Sequence, residues 1–290
     1  LTASGSASMG IANTTGTGDL GAGKNLSMGN SVFLAGGGEL DNGLTVSISF
    51  ELDQGAADGT NGTFDSHYVE VGSDALGTLR LSGHGGSSAQ SAMDTTAAGD
   101  LWNNTLGING NVSATPAASG DNSLYYTLPA MVDGLAITAS LAPRAAATTD
   151  THTSFGVAYT GVEGLTLKYG QGDSGVKTAE IESTTMMASY AIGSFTVSAS
   201  NTEADSSAAA DREVTSYQVA YTVSENLSVT YGQETYDLTG NAVDEELTSF
   251  GVSYTTGGMT ISASQFNAKG GANVAAADTD KWSLTAAFAF

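Results

Sequence analysis

The feature that most limits how this chain can fold is a period of two that runs through most of its length. In FGVAYTGVEGLTLKYGQG, residues 155–172, Phe155, Val157 and Tyr159 fall on one face and Gly156, Ala158 and Thr160 on the other. After the break GVEG, Leu165, Leu167 and Tyr169 share a face opposite Thr166, Lys168 and Gly170. Successive strand side chains point to opposite sides, so the unit reads as two strands joined by a tight turn. It recurs as YQVAYTVSENLSVTYGQE at residues 217–234. Leu44, Val46, Ile48 and Phe50 alternate likewise with Thr45, Ser47, Ser49 and Glu51, and Trp282, Leu284 and Phe288 keep the same rhythm near the end.

The connections alternate too. Short breaks occur at 41–43, 73–77, 132–134, 161–164, 193–194, 224–226 and 256–258. Longer polar segments lie near 14–23, 54–63, 84–121, 142–151, 171–180, 202–212, 235–246 and 267–279. Seven short turns and eight long loops separate sixteen strands, with short connections at one end and long ones at the other. That is an up-and-down meander in a single domain spanning residues 1–290.

A soluble β-sandwich also alternates, but three features favour a closed transmembrane barrel. Sandwiches seldom sort turn lengths by end. Their outward face carries Lys and Glu, whereas here only 13% of residues are charged and the polar face is Ser, Thr, Gly and Ala. Aromatic residues recur near strand ends, among them Tyr159, Tyr190, Tyr221 and Tyr254, as an interfacial girdle requires. In a membrane, closure satisfies every backbone group and leaves no edge. Sixteen strands then enclose a lumen open to water.

Composition removes whole classes of function. There is no cysteine, hence no disulfide, thiol catalysis or zinc–thiolate site. Thirty acidic residues against eight basic ones give a net charge of −22, which argues against a nucleic-acid partner, since phosphate binding needs a basic footprint. No run of 18 apolar residues forms a membrane helix. With no basic n-region ahead of an apolar stretch, the sequence reads as a mature form if the protein is exported. His67, His84 and His152 match no metal-ligand spacing, and no nucleophile elbow, phosphate loop or HExxH pattern occurs. The chain reads as no enzyme and as needing no cofactor. Acid-rich stretches such as VDEE, 243–246, carry oxygen ligands suited to calcium, with a solvated surface as the competing reading.

With SGSASMGI (4–11) as an opening strand, LGTLRLSG (76–83) as a fifth and a terminal FAF, the chain resembles the general porins of Gram-negative outer membranes, particularly the sixteen-stranded alphaproteobacterial type. The resemblance implies an all-β fold: a sixteen-stranded antiparallel transmembrane β-barrel whose third loop, 84–121, folds inward as a constriction. It also implies a homotrimer in outer-membrane lipid and lipopolysaccharide that passes small hydrophilic solutes, and makes the final Phe290 an assembly signal. Asp94 and Asp100, acids within the third loop, are expected to face the narrowing, and Trp102 to pack the loop.

Strand parity adds the wall. Arg80 lies between the outward residues Leu79 and Leu81, and a lipid-facing charge costs roughly 2–4 kcal/mol at the bilayer midplane, so it faces the lumen. Glu70 joins Arg80 at the narrowing, while Glu51, Tyr68, Lys168, Glu234 and Lys281 line the pore. The expected function is passive, cation-preferring diffusion across the outer membrane. A substrate-specific facilitator on the same barrel and a secreted acidic β-rich adhesin are the competing readings.

Overall fold

A computed structural model describes residues 1–16, 23–53, 64–93, 96–99, 101, 121–143 and 148–290. The described residues form strands β1 (Thr2–Gly16), β2 (Gly23–Glu39), β3 (Thr45–Asp53), β4 (His67–Ser73), β5 (Gly77–His84), β6 (Ser123–Thr127), β7 (Leu135–Ala142) and β8 (His152–Tyr159). They continue with β9 (Leu165–Asp173), β10 (Ile181–Ile192), β11 (Phe195–Ser206), β12 (Arg212–Ser224), β13 (Leu227–Leu238), β14 (Glu245–Thr256), β15 (Met259–Lys269) and β16 (Thr279–Ala289). Each pairs antiparallel with its sequence neighbours, and β1 pairs with β16 to close the barrel. At the seam Gly5 and Phe290 exchange backbone hydrogen bonds of 2.7 and 3.0 Å.

Six of the seven short connections are where the sequence places them; the one expected at 132–134 runs from 128 to 134, and each joins hydrogen-bonded neighbours. Gly164 closes the GVEG turn at φ +75° and Gly193 the GS turn at +59°. These left-handed conformations cost glycine little and a side chain much.

One face of the barrel wall is greasy and open. Met186, Val197, Tyr217, Tyr231 and Phe250 are 50% exposed or more, and all stand on the apolar parity of their strands. Directly opposed residues share a face, so Tyr217 and Gln233, or Tyr231 and Phe250, point the same way. Contiguous exposed apolar surface on this scale marks contact with lipid or protein rather than water. No described helix is long and apolar enough to cross a membrane; the strands cross it.

The buried apolar cluster sits on the opposite parity. Ala98 and Leu101 pack against Ala204, Val214, Tyr236, Leu247, Phe266 and Ala268, so this core forms where part of the 84–121 segment meets the inner wall of β11–β15.

Candidate functional site

Residues 88–93, 96–99 and 101 lie against the inside of the barrel, their backbone and side-chain donors meeting one wall hydroxyl after another. The Ala89 N–H donates to Ser140 Oγ (2.9 Å) on β7 and the Gln90 N–H to Ser154 Oγ (3.2 Å) on β8. The Gln90 amide donates to Thr185 Oγ1 (3.2 Å) on β10. Further along, the Ala97 N–H reaches Ser200 Oγ (2.9 Å) on β11 and the Ala98 N–H Ser216 Oγ (2.8 Å) on β12. Buried backbone donors must find acceptors, and here the wall supplies them.

Clearance comes from glycine. A Cβ at Gly156 would stand 2.7 Å from the Ala89 carbonyl, and one at Gly232 only 2.8 Å from Ala98 Cβ. The segment lies closer to the wall than any larger residue there permits.

The track ends at Glu234, whose side chain is 0% exposed. Its Oε2 accepts from the Leu101 N–H (2.7 Å), and its Oε1 from Ser216 Oγ (3.2 Å) and from the Thr96 hydroxyl. A buried carboxylate persists only when its oxygens are bonded, and charge-assisted hydrogen bonds are about twice as strong as neutral ones. Glu234 is therefore a tether between β13 and the segment.

On the other flank the wall is charged. Glu70, Arg80 and Tyr125 face one another in register across β4, β5 and β6. Arg80 Nε and an Arg80 terminal nitrogen each lie 2.9 Å from the same oxygen, Glu70 Oε2. The guanidinium stacks 4.1 Å from the centroid of Tyr68. At the segment's base, His84 Nδ1 pairs with Asp121.

A family model of Gram-negative porins matches residues 1–241. The chain belongs to the Gram-negative porin family. No curated protein sequence matches it, but solved structures share its fold. The anion-selective porin from Comamonas acidovorans superposes with a TM-score of 0.75 at 17% identity, covering 100% of this chain and 99% of that one. OmpT, an outer membrane protein of Vibrio cholerae, gives 0.72 at 14%, covering 100% and 97%. A mutant of the Rh. blastica porin gives 0.72 at 13%, covering 100% and 99%. Membership in the family makes the protein a passive channel of the bacterial outer membrane.

Within this porin, the residues read from the sequence fall in different places. Arg80, Glu70 and Tyr68 come together as one cluster. Glu51 on β3 accepts from Ser66 Oγ (2.8 Å). Lys168 shares the inward parity of β9 with Gly170, which lies against Gln90. Lys281 stands 5.9 Å from the Phe266 ring centroid. Glu234 shares the lumen parity, yet it lies beneath the segment rather than on open wall. Asp94, Asp100 and Trp102 lie outside the described residues. In the acidic run 243–246 the side chains diverge: Glu245 is buried and accepts from the Asn273 N–H (3.2 Å), while Glu246 is exposed, in register with Lys269. Among the described residues no three acids or histidines gather as metal ligands.

Sequence reasoning did not single out Tyr125, Ser200, Ser216 or Thr96. Tyr125 sits in LYY, where adjacent tyrosines blur parity, and its place across from Arg80 depends on register. The serines carry no local signal among so many others.

Proposed function

We propose that this porin is a water-filled, cation-preferring diffusion channel for small hydrophilic solutes and ions, that it catalyses no bond chemistry, and that it works as a homotrimer. The observation that carries the ionic preference is the Arg80–Glu70 pair: the arginine expected to attract anions at the narrowing is matched by a carboxylate at 2.9 Å. The chain carries −22 overall, and a narrow passage with low-dielectric walls focuses such a field on counter-ions. Charges on the outer loops contribute less, being screened beyond about 8 Å at physiological ionic strength. The preference is therefore moderate and weakens as salt rises.

The Comamonas protein is described as anion-selective, so fold alone leaves the sign open. A reversal potential across a potassium chloride gradient decides it. Cation selectivity is expected; an anion-selective wild-type channel overturns the reading. The trimer is supported by a trimer form of OmpT of Vibrio cholerae and is checked by light scattering in detergent. Contact with outer-membrane lipid, lipopolysaccharide included, is supported by the exposed apolar wall and is read by co-purification. Calcium binding at 243–246 would fall to the exposed Asp244 and Glu246, because Glu245 turns inward; calcium titration of the melting curve tests it.

A further inference from the structure

We infer that the recess between β4–β6 and the base of the 84–121 segment retains neutral, polyhydroxylated solutes of monosaccharide size during passage. This rests on the pore reading and names a class of solute for it. The recess encloses about 470 Å³ and is lined by Tyr68, Glu70, Arg80 and Tyr125 of the wall and by His84 and Ser87 of the segment. Pockets for small molecules run to ~300–1,000 Å³, so the space suits one sugar ring with some water.

The chemistry follows from how Arg80 is used. Two of its nitrogens turn to one carboxylate oxygen, Glu70 Oε2. The remaining terminal nitrogen of Arg80 and Oε1 of Glu70 make no hydrogen bond with a described residue. An unspent donor thus stands beside an unspent acceptor. A hydroxyl both gives and accepts a hydrogen bond, so two hydroxyls on adjacent carbons match this pair. An anion attracted by Arg80 meets Glu70 at once, and a cation drawn to Glu70 meets Arg80; a neutral solute pays neither repulsion. Stacking on Tyr68 at 4.1 Å holds the guanidinium plane in place. Tyr125, directly across from Arg80, offers a ring to the C–H face of a sugar.

The test is ion current through the full chain in planar bilayers, titrated with glucose and, separately, with a polyethylene glycol of matched size. Glucose is expected to block saturably, with half-block on the order of millimolar, while the polymer lowers current without a plateau. Tyr125→Leu and, independently, Glu70→Gln should each raise the half-blocking concentration about tenfold, equivalent to ~1.4 kcal/mol; if one variant does not insert, the other decides. A conducting channel that glucose blocks no more than the polymer does overturns the recess alone, as does a half-block that neither substitution moves. A chain that inserts without conducting overturns the pore reading and the recess with it.

Discussion

Along β8–β13 the inward positions beneath the segment are Ser154, Gly156, Gly170, Thr185, Ser200, Ser216 and Gly232, whereas along β4–β6 they are Tyr68, Glu70, Arg80 and Tyr125. Both stretches obey the same period of two and the same antiparallel register. The first is buried under residues 88–93, 96–99 and 101; the second is half-buried and borders an open recess. Small hydroxylated residues accept backbone hydrogen bonds at close range, and that turns a wall into a seat for another piece of chain. Large charged and aromatic residues leave, among the described residues, a polar wall that stays partly exposed. Side-chain size at inward positions, rather than strand geometry, separates a packed stretch of wall from a partly exposed one among the described residues.

The strongest way to break that contrast is Glu234→Ala. It removes the acceptor of Thr96, Leu101 and Ser216, and each donor left buried and unpaired costs about 1–3 kcal/mol. The ladder of the barrel is untouched, so the segment should leave the wall while the barrel persists. Single-channel conductance should rise; an unchanged conductance would mean that the tether is not what keeps the segment seated.

Gly156→Val attacks the same seat through volume. Its Cβ would meet the Ala89 carbonyl at 2.7 Å and Met93 Cγ at 2.9 Å, and overpacking of this kind costs typically 1–3 kcal/mol. The melting temperature in detergent should fall. Gly38→Ala is the control, since nothing lies within 4 Å of a Cβ there, and it should leave melting unchanged. Equal losses in both would show that strand glycine, not the seat, sets the effect.

Charge tests the other stretch. Arg80→Ser frees Glu70 from its partner and should move the reversal potential further toward cations. Asp94→Asn with Asp100→Asn should move it back. These shifts are smaller than the loss of the tether, because the charges act partly through screened water. A double variant with an unchanged reversal potential would remove those two acids from the selectivity mechanism.

Much of this protein could be read from residue order. Alternation in units such as 155–172 gave the strands, and break lengths gave the turn end and the loop end, because both are local properties of backbone and solvent. Parity put Arg80 and Glu234 on the polar face for the same reason: a charge on the lipid side is costly wherever the strand lies. Their partners were not local. Arg80 and Tyr125 meet only through the pairing of β5 with β6. The Leu101 N–H reaches Glu234 across a sequence separation of 133 residues, and no alternation rule distinguishes a wall residue left open to water from one that another segment will cover. The chain's local chemistry determined a greasy outside and a polar inside. Only closure of the barrel, which brings distant strands under the same segment, decided that Glu234 fastens a loop while Arg80 and Glu70 face the passage.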